Sequence, residues 1–161
     1  MLLKILVADT SPVISLFLIQ QFGLLQKLFE EIFIPTAVWD ELNQHGPHLI
    51  YKNEMDFLAG KVIQPEKIID FPAIDKGEIE AIALYLELNA AYLLIDDKKG
   101  RQVAEANGIN CIGTLTVLIA AKQKGLIAGL KTYFEMLLAN KRFYAKETLN
   151  HILAAENEPL L

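Results

Sequence analysis

Two apolar runs in this chain stop on acids. ILVADTSPVISL ends its first run at Asp9, and AAYLLIDDKKGR ends on Asp96 and Asp97. Glu41 follows a third run in IPTAVWDEL, and DKGEIEAIALYLELN sets Asp75, Glu78 and Glu80 at the head of a strongly apolar stretch. Carboxylates that converge in one cleft repel one another, so some stay protonated unless a cation stands among them. Oxygen-only ligands select hard ions such as Mg²⁺ or Mn²⁺. Such ions activate water and stabilise charge on a phosphodiester under attack, and two of them can bracket the attacking and leaving oxygens. Each acid also has a structural use. Asp9, Asp96 or Asp97 can cap the helix that follows, Asp75 and Glu78 can close a capping box, and Asp40 and Glu41 can be plain surface residues.

Convergence depends on the elements that carry these acids. Buried strands are expected at residues 2–8, 31–34, 62–63, 91–95 and 109–112. Between them the pattern predicts helices. Ser11-Pro12 reads as an N-cap and a first helical position ahead of residues 13–20. Residues 24–29 form a short helix, Thr36 caps another through Leu42, and residues 49–58 follow a turn at Gly46-Pro47. Residues 75–89 show the strongest helical period, with Ile79, Ile82, Ala83 and Leu86 on one face. Gly108 stops the helix over residues 100–107, and Gly125 stops the helix over 114–124. Residues 65–74, with two prolines and no period, read as a crossing loop. Strands apolar on both faces and alternating with helices predict a three-layer α/β/α sandwich around a parallel sheet. Residues 1–128 form that domain, and residues 129–161 form a C-terminal helical extension packed on it, two helices with a loop near Lys141. Sites in such folds lie outside the carboxyl ends of the strands. Asp9 and Asp96 or Asp97 meet there if the first and fourth strands are neighbours, with Glu41 and Glu78 reaching in from flanking helices.

Composition narrows the function. The chain has 161 residues, 53% of them apolar, enough to bury a core without disulfides. Its net charge of −5 argues against sequence-independent coating of DNA. The local basic clusters, Lys98-Lys99-Gly100-Arg101, Lys122 with Lys124 and Lys141-Arg142, read by themselves as solvated faces. A single cysteine, Cys111, fits a reducing compartment, and a cytoplasmic location is expected. The apolar run before Asp9 is too short for a signal-peptide core, and no run is long enough to span a membrane.

Five segments in order, ADTSPVISL, IPTAVWDEL, DKGEIEAIALYLEL, LLIDDKKGRQVA and GTLTVLIAAKQKGLI, resemble the PIN-domain nucleases, in particular the prokaryotic branch related to VapC-type toxins of toxin–antitoxin pairs. The resemblance spans residues 3–127 and implies a five-stranded parallel sheet in the order 3-2-1-4-5. It also implies Mg²⁺- or Mn²⁺-dependent ribonuclease chemistry, a homodimer and an antitoxin partner. Asp9 matches the family's first acid, Glu41 the second, and the Asp96-Asp97 pair the last. Glu78 or Glu80 takes the place of the third, and Glu78 is preferred because it lies nearer the helix start. Ile95 stands where toxin-type members often carry a threonine, with Thr10 or Ser11 as substitute hydroxyls. In this reading Asp9, Glu41, Glu78, Asp96 and Asp97 hold metal for RNA hydrolysis, while Ser11, Lys98, Lys99 and Arg101 hold the substrate. Arg101 has an alternative i,i+4 partner in Glu105.

Other residues carry less. His45 and His48 lack further nitrogen or sulfur ligands nearby, so zinc is not expected. Cys111 reads as a small apolar residue, Trp39 as core or staple, and the aromatic residues form no basic-aromatic stripe. An inert PIN-like RNA- or protein-binding module is the main alternative to an enzyme. A receiver domain would need an acidic pair after the first strand and an acid after the third, where Gln64-Pro65 stands. A haloacid-dehalogenase-type phosphatase would need an acid at Ser11.

Overall fold

The computed structural model describes residues 4–44 and 50–161. The expected strand residues Leu2 and Leu3, the turn at Gly46-Pro47, Leu49, His45 and His48 lie outside the described residues.

Five parallel strands form one sheet in the order β3-β2-β1-β4-β5: β1 (Ile5–Ala8), β2 (Glu31–Pro35), β3 (Val62–Ile63), β4 (Tyr92–Leu94) and β5 (Cys111–Ile112). The first and fourth strands are therefore neighbours, with Val7 facing Leu93 and Ala8 facing Leu94 in register. Helices connect the strands: α1 (Thr10–Leu18), α2 (Gly23–Leu28), α3 (Thr36–Gln44), α4 (Lys52–Ala59), α5 (Lys76–Leu88), α6 (Lys98–Ala106) and α7 (Thr114–Gln123), followed by α8 (Lys131–Ala139) and α9 (Lys146–Ala155). No helix among the described residues is long and apolar enough to cross a membrane.

Alternate residues of the central strands feed two cores. Leu6, Ala8, Ile32, Ile34 and Leu94 point to one face, under α1, α2, α4 and α7. Phe134 and Leu137 of α8 and Leu149 and Leu153 of α9 are fully buried in that same core. Val7, Leu93 and Ile95 point to the other face, against Ala81, Ile82, Leu84 and Tyr85 of α5 and Ala104 of α6. This double burial makes the strands apolar throughout. Truncating one of the fully buried leucines to alanine costs ~2–5 kcal/mol.

Several local expectations need correction. Helix α1 begins at Thr10, so Asp9 rather than Ser11 occupies the N-cap position. Pro12 still lies in the first turn, where its missing N–H leaves no bond unmade. Thr36 is the first residue of α3 rather than its cap. Helix α6 starts two residues before Gly100, because Asp97 caps it by accepting from the Gly100 amide at 2.9 Å. The apolar face of α5 is wider than a stripe. Ala81 and Leu84 are buried along with Ile82 and Ala83, whereas Leu86 is 46% exposed and Ile79 half-buried. Helix α5 packs on the sheet and also on α3, so most of its circumference is covered. Gly108 and Gly125 both adopt positive φ, +75° and +74°, as helix-ending glycines do.

Candidate active site

The carboxyl ends of β1 and β4 are stapled together. The Asp9 amide donates to the Leu94 carbonyl at 2.9 Å, two residues before Asp96. Asp9, Glu41, Asp75, Glu78, Asp96 and Asp97 line one cleft of about 620 Å³, together with Thr10, Ser11 and Ser15 of α1. The five acids expected from sequence thus meet, and Asp75 joins them.

Asp9 lies at the cleft floor and is only 5% exposed. It stands at the N-cap position of α1 but makes no capping hydrogen bond. Burial pushes its pKa up to about 8; the nearby Thr10 amide opposes the rise, and the charges of Glu78, Asp75 and Glu41 add to it. Glu78 is 6% exposed, and its pKa is pushed up to about 7, first by burial and then by the charge of Asp75. Glu78 also closes the capping box anticipated from sequence. Its amide donates to Asp75 Oδ1 at 2.9 Å, and its Oε2 accepts from the Asp75 amide at 3.2 Å. A capping role and a place in the cleft therefore coexist in one residue.

Glu80 has a different neighbourhood. Its Oε1 accepts from the buried Ala37 amide at 3.0 Å, at the start of α3, and Lys76 lies 3.9 Å from its Oε2. It does not line the cleft. Glu41 does, with Oε2 accepting a short hydrogen bond from Thr10 Oγ1. Glu41 lies over Gly77, where a Cβ would stand 2.6 Å from its Oε1. Glycine here lets α5 approach the Glu41 carboxylate.

Asp96 is held from three directions. The Thr114 amide donates to Oδ1 at 2.8 Å, while the Thr114 hydroxyl and the Tyr144 hydroxyl donate to Oδ2 at 2.6 and 3.3 Å. Burial first, then the Asp96 charge, push the Tyr144 phenol up to about 12, so it remains a neutral donor. Ile95, where the resemblance to toxin-type members leads one to expect a threonine, is fully buried and turns to the apolar side. A Cβ on Gly100 would lie 2.7 Å from Ile95 Cδ1 and 3.1 Å from Glu78 Cδ. The hydroxyls that touch acids here belong instead to Thr10, Thr114 and Tyr144.

The basic residues divide unexpectedly. Lys98 and Lys99 are exposed on the first turn of α6, Arg101 pairs with Glu105 at 3.8 Å, and none of the three lines the cleft. Ser11 does line it. The lining cations are Lys141 and Arg142, which arrive with Phe143 and Tyr144 on the loop between α8 and α9. Sequence reading treats Lys141-Arg142 as a solvated face. The adjacent KRFY string, two cations followed by two aromatics, was the available signal. Cys111 is half-buried against the second core, and burial pushes its thiol up to about 11, which disfavours the reactive thiolate. Trp39 packs against the first core.

Among the described residues no three acid, histidine or cysteine side chains are already drawn together as a metal cage. The donor chemistry nevertheless fits a hard divalent cation. The lining ligands are carboxylate and hydroxyl oxygens, and burial, with repulsion between neighbouring acids, disfavours the charged forms of Asp9 and Glu78, a penalty that a cation would offset.

The family model DUF3368, described as a PIN domain, matches residues 5–158. No curated protein matches the chain. Among solved structures, a PilT N-terminus domain protein, SSO1118, from the hyperthermophilic archaeon Sulfolobus solfataricus P2 shares the fold. Its TM-score is 0.55 at 23% sequence identity, over 73% of this chain and 93% of that one.

Proposed function

The chain belongs to the PIN-domain family, a nuclease fold in general, and from that premise we propose that it is a Mg²⁺- or Mn²⁺-dependent endoribonuclease. The observation that carries this reading is the meeting of six carboxylates in one cleft, two of them raised towards neutrality by burial and mutual repulsion.

In this mechanism Asp9 and Glu78 are the principal cation ligands, with Glu41 and Asp96 or Asp97 completing the set. A divalent ion held there would supply a nucleophilic water and stabilise the charge that builds on the phosphodiester. Asp9, pushed up to about 8 by burial, would have to release its proton to hold a cation. Thr10 fixes the Glu41 carboxylate, and Thr114 with Tyr144 fixes that of Asp96, so the ligands are oriented before substrate arrives. Lys141 and Arg142 offset the repulsion between the acids and an incoming phosphate backbone. Hydrolysis leaves a 5′-phosphate and a 3′-hydroxyl.

A homodimer, an antitoxin partner, a toxin role and a cytoplasmic location belong to the same proposal. They rest on the resemblance to the VapC-type branch. An inert PIN-like binding module is the second reading, favoured by the lack of a ready-made metal cage among the described residues and by Ile95 in the threonine's place.

The test combines Mn²⁺ titration calorimetry with cleavage of a single-stranded RNA, comparing the native chain with Asp9→Asn. The nuclease reading expects both signals in the native chain and neither in the variant. Mn²⁺ and RNA binding without cleavage would establish the second reading, and unchanged cleavage by Asp9→Asn would reject the assigned site.

A further inference from the structure

Phe143 borders the acidic cleft and is 89% exposed, the most exposed large apolar side chain among the described residues. Exposure alone means little, because single apolar side chains often face water. Its neighbours, however, are firmly held. Just beyond helix α8, Lys141 lies in the left-handed region at φ +60°; the Lys141 amide donates to the Leu138 carbonyl at 3.0 Å and the Arg142 amide to the Leu137 carbonyl at 2.9 Å. That double closure usually employs glycine, and here a lysine accepts the strain. Arg142 Nε then donates to Ser15 Oγ at 2.8 Å, and its Nη2 donates to the Ser11 carbonyl at 2.8 Å and to Ser11 Oγ at 3.4 Å. On the other side the Tyr144 hydroxyl reaches Asp96 at 3.3 Å. The loop is thus bolted to α1 and to the acid after β4, and the one large apolar side chain it leaves in water stands at the rim of the cleft.

We propose that Phe143 is a stacking platform for a nucleobase of single-stranded RNA, with Lys141 beside it contacting the adjoining phosphate. A flat aromatic face next to a cation suits an unstacked base and its backbone, and every base offers a π-face, so the contact selects single strands rather than a sequence. Asp9 and Glu78 are buried in the same cleft, so a base held at Phe143 brings its strand across the acids. Arg142 is a positioning residue: its Nε and Nη2 are engaged with Ser15 and Ser11, and it sets the place of Phe143. This inference rests on the ribonuclease reading and specifies what that cleft takes.

The test uses the full chain carrying Asp9→Asn, a variant expected not to cleave. A ten-nucleotide single-stranded RNA with one fluorescent 2-aminopurine base is the probe. Adding Phe143→Ala is expected to weaken binding about tenfold and to abolish the quenching of 2-aminopurine on binding, within the range of base–aromatic stacking. Phe143→Trp restores both, Phe143→Leu restores neither, and duplex RNA of the same sequence is bound equally with and without Phe143→Ala. Unchanged thermal unfolding of the Phe143 variants excludes a folding defect, as the exposed ring predicts. If Phe143→Ala alters neither affinity nor quenching while the native chain cleaves the probe, the platform is rejected and the nuclease reading stands. A native chain that neither binds nor cleaves the probe rejects both.

Discussion

Replacing Asp9 with asparagine removes the ionisable carboxyl in the cleft while keeping the shape of the side chain. Asp9 has a folded-state pKa of about 8 against an ordinary 3.8. A carboxyl whose pKa rises on folding contributes stability that is complete below the unfolded value and is lost as pH climbs through the folded one. For the metal-free chain the loss therefore runs from about pH 4 to about pH 8, at roughly 1.4 kcal/mol per pH unit. Between pH 5 and pH 8 the Asp9 contribution falls by about 4 kcal/mol, equivalent to roughly 10 °C in melting temperature for a domain of this size. Glu78, raised to about 7, adds a fall in the same direction. The two charges repel each other, so their effects do not simply add. The assay is chemical denaturation of the chelator-treated protein from pH 5 to pH 8.5, with and without Mn²⁺. The native chain is expected to lose stability steadily with rising pH and to recover it on adding Mn²⁺. Asp9→Asn is expected to show a much flatter profile, greater stability than the native chain at pH 8, and little response to Mn²⁺. Parallel pH profiles for the two proteins would refute the account of Asp9 as a buried charge in waiting for a cation.

Four other substitutions separate the site from its scaffold. Glu80→Ala leaves the buried Ala37 amide without its acceptor and is expected to cost about 1–3 kcal/mol in denaturation midpoint, with Mn²⁺ binding retained. Gly77→Ala adds a methyl 2.6 Å from Glu41 Oε1, so the flexible carboxylate end must swing away. Helix propensity gives back up to about 1 kcal/mol, so the expected outcome is an unchanged or slightly higher melting temperature with at least tenfold slower RNA cleavage. Gly100→Ala presses on Ile95 and Glu78 together and is expected to destabilise by about 1–3 kcal/mol as well as weaken Mn²⁺ binding, measured by calorimetry. Thr114→Val removes the hydroxyl that holds Asp96 and is expected to cost about 1–3 kcal/mol in denaturation midpoint and to lower cleavage.

The linear chain determined a good deal about this protein. Strands buried on both faces are apolar without interruption, so β1 and β4 announce themselves, and each is followed by an acid. Gly108 and Gly125 mark helix ends because left-handed backbone suits glycine. The pairing of Asp75 with Glu78 is legible because a capping box is a contact between residues three apart. What the chain could not display is rotation and distant docking. Glu78 and Glu80 differ by about 200° around their helix, and only the packing of α5 on the sheet and α3 decides that Glu78 faces the cleft while Glu80 faces the Ala37 amide. Asp96 and Asp97 are adjacent, yet one is taken by Thr114 and Tyr144 and the other caps α6. The loop carrying Lys141 to Tyr144 reaches the first helix across more than a hundred residues of chain, because Phe134, Leu137, Leu149 and Leu153 seat α8 and α9 in the central core. Local spacing encodes elements and caps, whereas a cleft is made by side chains that meet only after those elements have packed.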